Sequence, residues 1–129
     1  MTTEPEHTSL ESLVEHTYQT WLWLDERVQA FPKAVRPQLG RRALDTILDA
    51  LTSLSHAMYL PRGSARVREL EGVNRHLATL RLLLRGARDR RYLSLDQHEH
   101  AMRLVAECGR RTGGWLRLER EHARRTGPR

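Results

Sequence analysis

Residues 104–118, LVAECGRRTGGWLRL, decide how the rest of the chain is read. As a helix, this stretch carries Leu104, Val105, Cys108, Thr112 and Leu116 along one side, while Gly109 and Gly113, one turn apart, leave a surface almost bare of side chains. Glycine inside a helix costs about 1 kcal/mol relative to alanine. Three of them here (Gly109, Gly113 and Gly114) therefore call for a compensating gain, and close approach of another helix or subunit is the one we expect. Arg110, Arg111 and Arg117 flank the strip, with Trp115 between them. The alternative is a glycine-kinked core helix with solvated arginines.

Working outward, three further segments show apolar residues at alternating steps of three and four, the seam of a helical bundle. The first starts at Ser9 or Thr8 as N-cap and runs to about Phe31, with Leu10, Val14, Thr17, Trp21, Leu24, Val28 and Phe31 inward. Leu13, Leu22 and Trp23 fall outside that seam, and Trp23 is expected either in a subunit contact or under the N-terminal tail. Pro32 and Pro37 interrupt the helix. The second begins near Pro37 and reaches about Tyr59 on Leu44, Ile47, Leu51, Leu54 and Met58. Leu60 to Gly63 reverses the chain. The third is expected from Ser64 as N-cap to about Arg91, on Leu70, Val73, Leu77, Leu80, Leu84 and Ala87. Ser94 and Gln97 have the spacing of a capping box, which starts the fourth near Leu95, with Leu95, Met102, Val105, Thr112 and Leu116 inward. Four periodic segments with short connections and no strand pattern predict an all-α, up-down-up-down four-helix bundle over 9–119. Residues 1–8 read as a disordered tail and 120–129 as a basic one. Surplus apolar positions (Leu13, Trp23, Leu83, Trp115 and Leu118) predict burial between subunits.

The 129 residues suit one domain, 39% hydrophobic and 29% charged, with one cysteine and therefore no internal disulfide. No stretch approaches the roughly 20 apolar residues of a membrane span, and the start MTTEPEHTSLES has no leader pattern, so a cytoplasmic protein is expected. Net charge is +6, and every cation but Lys33 is arginine. Up to residue 30 there are six carboxylates against Arg27 alone, so the positive excess lies beyond the first helix. Arg75, Arg81, Arg85 and Arg88 on the third helix, and Arg103, Arg110, Arg117 and Arg124 at seven-residue intervals on the fourth, are the footprint of nucleic acid or of an acidic protein partner, although the helix dipole alone would account for Arg88, Arg90 and Arg91 at the end of the third. Composition alone leaves a genome-driven arginine excess equally open.

Catalytic chemistry finds no candidates. His98 and His100 point about 200° apart on a helix and cannot share an ion, and the zinc, phosphate-loop, dinucleotide and nucleophile-elbow patterns are missing. No metal or cofactor is expected.

The run Glu107 to Arg117, ECGRRTGGWLR, resembles the final-helix signature of the Avd family, the accessory variability determinants of diversity-generating retroelements. That family shares its fold with small four-helix bundle proteins encoded in intervening sequences of ribosomal RNA genes. Phe31, Pro32 and Lys33 followed by Leu39, Gly40 and Arg41, and then Arg88 to Leu95, fit the same pattern, so that the similarity spans roughly 17–118. The chain departs from it at Cys108, where a branched aliphatic residue is expected. The resemblance implies a homopentameric barrel with a basic surface. It also implies a non-catalytic accessory role in which the protein binds the element's reverse transcriptase and its template RNA or complementary DNA during error-prone synthesis at adenines. Basic character is carried to Arg75, Arg81, Arg85, Arg88, Arg103, Arg110, Arg111 and Arg117. A stand-alone RNA-binding or scaffold bundle of the intervening-sequence type is the alternative.

Overall fold

The structure, a computed structural model, describes residues 9–126. Its helices are α1 (Leu10–Gln29), α2 (Arg41–Tyr59), α3 (Ser64–Asp89) and α4 (Leu95–Thr126), with a π-helical turn at Arg36–Gly40 leading into α2, and there is no strand among the described residues. Thr8 and the expected N-terminal tail lie outside the described residues. The helices pack α1 on α2, α2 on α3, α3 on α4 and α4 back on α1. Short connections force neighbours antiparallel, so the α1–α2 and α3–α4 connections share one end of the bundle.

The helix ends follow local chemistry. The Ser9 hydroxyl accepts from the Ser12 amide at 3.1 Å, the expected N-cap. Ser94 and Gln97 form the reciprocal capping box, amide to side chain in both directions at 3.0 and 3.1 Å. The start of α3 differs from expectation: Gly63 is its N-cap, at φ 143°, and Ser64 is already helical. At the end of α3 the Tyr92 amide donates to the Ala87 carbonyl at 2.8 Å and the Arg91 amide to the Arg88 carbonyl at 2.9 Å. That is a Schellman cap, yet its left-handed position is held by Arg91 at φ 66°. Glycine is the usual occupant, and a side chain there costs about 1–2 kcal/mol.

The α3 seam is as expected: Leu70, Val73, Leu77, Leu80, Leu84 and Ala87 are all buried. On α2 the inward row is Ala43, Ile47, Ala50, Leu54 and Ala57, whereas Leu44, Leu51 and Met58 are only half-buried on its flank. The alanines let the helix come close, which turns the larger side chains aside. On α1, Leu13 is fully buried and Thr20 nearly so, while Val14 and Trp21 sit at the margin. The buried threonines are satisfied by the carbonyl one turn earlier, Thr17 by Leu13 at 2.8 Å and Thr20 by His16 at 2.9 Å.

Several residues expected at a subunit contact belong to the protomer's own core. Leu13 and Trp115 are 0% and 5% exposed. The Trp23 ring lies 4.9 Å from the His100 ring, beneath the Arg27 guanidinium at 5.3 Å, and so fills the α1–α4 contact. Leu83 and Leu118 are half-buried against the core. Leu95, expected inward, is 71% exposed, because it is rotated about 120° from the inward row that starts at Ala101. The exposed large apolar side chains are instead Tyr18, Leu22, Leu48, Tyr59, Leu82 and Leu95. Past Glu119 α4 continues to Thr126, and Arg120 pairs with Glu71 of α3 at 2.9 Å; the last three residues of the expected basic tail lie outside the described residues.

The glycines also differ from the expected strip. A Cβ on Gly109 would meet an Arg81 guanidinium nitrogen at 2.9 Å, but one on Gly113 would meet nothing within 4 Å, and Gly114 has only an Arg117 nitrogen at 3.9 Å. The tightest glycine is Gly40, where a Cβ would stand 2.6 Å from Val28 Cγ1. We therefore expect Gly40→Ala to destabilise the fold by about 1–3 kcal/mol through overpacking, and Gly113→Ala to stabilise it by up to about 1 kcal/mol. Urea unfolding of the two variants checks both signs. A destabilising Gly113→Ala would mean that a second subunit closes on that site.

Cys108 is fully buried, its sulfur 3.5 Å from the Thr17 hydroxyl. Burial pushes its thiol above the ordinary value of 9.0. The thiol is accordingly expected to resist alkylation in the folded protein and to react fully in denaturant. Because the unfolded chain ionises first, stability should fall as pH rises past about 9. Rapid labelling of the native protein at neutral pH would contradict the packing described.

Candidate nucleic-acid interface

At about 100° per residue, Arg81, Arg85 and Arg88 stand within roughly 60° of one another on α3, whereas Arg75 is rotated about 120° from Arg81. Arg103, Arg110 and Arg117 fall within about 40° on α4, opposite its buried row. The position of Arg81 over Gly109 shows that the first group borders α4. The two rows therefore border a trough along the α3–α4 seam, whose α4 side carries the exposed Ala106 and the half-buried Gly109 and Gly113. Bare glycines let the long Arg81 side chain lie flat across α4, which is the close approach made at Gly109.

Charge along the trough is uneven. Arg120 and Glu71 close one end. At the other, Asp89 takes Arg88 at 2.8 Å and lies 3.9 Å from Arg85, and its hydrogen bond from Arg88 holds the carboxyl below its ordinary range. Nearby His98 has its pKa lowered by burial and then by the Arg88 charge, which favours the neutral ring. Arg110 is held by Glu107. Between these pairs Arg81, Arg103 and Arg117 have no carboxylate partner among the described residues, and neither does Arg75 on its separate face. Glu107 and Glu121, each one turn after Arg103 and Arg117, do not pair with them but with Arg110 and Arg111 and with Arg124 and Arg125. Arg81 and Arg85, one turn apart on α3, carry like charges that repel one another, and a phosphate backbone relieves that repulsion.

Arg111 does not belong to this surface. Its side chain is 9% exposed, lies 4.0 Å from Glu107 and donates to the Ser12 hydroxyl at 2.5 Å, tying α4 to α1. One position separates it from Arg110, which turns it about 100° around the helix into the interior.

A second charged cluster leaves almost no trace in the sequence pattern. Glu119 is 0% exposed, and its Oε2 accepts from Arg62 Nε at 3.0 Å and Arg66 Nη1 at 3.3 Å, while Oε1 is buried without a partner. Arg66 also donates to the Ala57 and Met58 carbonyls at 2.8 and 3.4 Å, closing the C-terminal end of α2. The cluster joins three helices and works as a structural clasp. Its one sequence signal is a glutamate at an inward step of α4.

Among the described residues no group of three or more His, Cys, Asp or Glu side chains is placed to hold a metal ion, and no helix is long and apolar enough to cross a membrane. Two shallow depressions flank Pro37 and Arg41, of about 390 and 420 Å³.

Comparison with known proteins agrees with this architecture. No curated protein and no solved structure matches the chain. One family model does, that of the bAvd-like proteins, over residues 11–119, which takes in all of α2 and α3, nearly all of α1 and α4 up to the clasp glutamate. The chain belongs to the bAvd-like family.

Proposed function

We propose that the protein is a non-catalytic accessory protein of a diversity-generating retroelement, binding the element's reverse transcriptase together with template RNA and its complementary DNA to support mutagenic reverse transcription. Membership of the bAvd-like family over residues 11–119 carries the reading. The trough between α3 and α4 supports it: its unpaired arginines offer planar donor forks to phosphate. Such contacts position a strand without reading its bases, so binding is weakly sequence-selective and falls as salt rises. The protein acts in the cytoplasm as a homo-oligomer, a ring of five in keeping with the resemblance. The apolar side chains exposed on α1 and α2 (Tyr18, Leu22 and Leu48) are its contact surface.

The test is capture of tagged protein from its host, with and without nuclease. A reverse transcriptase that stays bound after nuclease supports the accessory role. RNA alone, lost with nuclease, favours a general RNA-binding bundle, and capture of neither contradicts the proposal.

A further inference from the structure

The end of the bundle that carries the α1–α2 and α3–α4 connections is a second concentration of cations, which the trough does not explain. One depression there is lined by Lys33, Arg36 and Arg41 around an apolar floor of Val28, Pro37 and Leu44. Its neighbour across Pro37 adds Arg42 and touches Leu83 of α3. The Phe31 and Tyr92 rings, 5.6 Å apart, hold the first connection against the second, where Arg90 and Arg91 are exposed. Half of the carboxylates near this end are already paired: Asp45 lies 3.5 Å from Arg41, Asp89 is taken by Arg88 and Glu26 lies 3.7 Å from Arg27, while Asp25 at the end of α1 and Asp96 and Glu99 at the start of α4 make no ion pair among the described residues.

Arg91 supplies the independent observation. It occupies the left-handed position of the α3 cap, which glycine would fill without strain, and its side chain makes no ion pair among the described residues. The negative end of the α3 dipole favours a cation near this terminus, but it does not call for an arginine at the strained position itself, which points to a use of that charge outside the protomer. Arg81 lies on α3 ten residues earlier, eight of them within the helix, which puts it about 12 Å along the axis from the end of α3. Arg85 and Arg88 fill the interval.

We infer that a single-stranded nucleic acid lying in the α3–α4 trough continues past the end of α3 and crosses this end of the bundle, with its phosphodiesters on Arg91 and Lys33 and a sugar or base against the Val28–Leu44 floor. The inference rests on the proposed function and extends its contact surface to residues outside the trough.

The test is binding of a mixed-sequence single-stranded RNA to the full chain, measured as log affinity against log salt for wild type, Arg91→Gly, Lys33→Ala and the trough variant Arg81→Glu/Arg85→Glu. Removing one phosphate interaction lowers the slope by about 0.7. We expect that decrease in Arg91→Gly and in Lys33→Ala, while the melting temperature of Arg91→Gly rises. Opposite movement of stability and binding separates a residue that touches the strand from a structural one. If both end variants bind with the wild-type slope while the trough variant loses binding, the strand stops at the trough: this end of the bundle then takes no part, and the proposed function stands. If wild type itself retains no RNA at low salt, both fail.

Discussion

Replacing Glu119 by alanine is expected to destabilise the protein by about 3–5 kcal/mol, the cost of leaving a buried charge without its partner. Arg66, with a side chain 13% exposed, would keep its two carbonyl acceptors on α2 but lose the only carboxylate it meets among the described residues. A total stability of roughly 5–15 kcal/mol makes that a large share. Glu119→Gln keeps the volume and removes the charge, so it isolates the electrostatic part from the cavity. Glu71→Gln is the control, because its pair with Arg120 is equally short but exposed, and such pairs are worth about 0–1 kcal/mol. Urea unfolding at one fixed protomer concentration compares all three, since self-association would otherwise shift the midpoints. If Glu119→Gln costs no more than Glu71→Gln, the cluster behaves as a surface pair and is not a clasp.

That clasp marks where the sequence stops being readable. The α3 seam is legible because its inward positions are large and regularly spaced, from Leu70 to Ala87. On α2 the expected seam shares Ile47 and Leu54 with the real one, but takes Leu44, Leu51 and Met58 where the fold places Ala43, Ala50 and Ala57 inward. Thr17 and Thr112 are legible as core because they keep the seam spacing, whereas Thr20 falls outside it; all three are buried with their hydroxyls turned onto their own helix. Glu119 is invisible for a different reason: its partners Arg62 and Arg66 are more than fifty residues away, and nothing local shows that a carboxylate is buried. The trough is legible as two arginine rows. Which of those arginines are already satisfied is not, because Arg110 and Arg111 share one glutamate and only one of them faces outward.

Reversing charge at Arg81 and Arg85 together is expected to abolish retention of RNA near physiological salt. A unit charge pair about 4 Å apart in water is worth about 1 kcal/mol, and reversal exchanges that attraction for an equal repulsion. Two reversals therefore cost about 4 kcal/mol, close to a thousandfold in affinity at low salt. The effect on the fold should be small. Both side chains are exposed, Arg85 gives up only a 3.9 Å approach to Asp89, and one like-charged pair replaces another along the helix. Filter retention of labelled RNA, with circular dichroism of the same samples, separates the two effects. A variant that folds as wild type and still retains RNA would take the trough out of the binding surface. The same variant in the capture experiment divides the roles further. If it keeps the reverse transcriptase after nuclease, polymerase docking does not depend on Arg81 and Arg85, and RNA binding and polymerase binding are separate properties of the bundle.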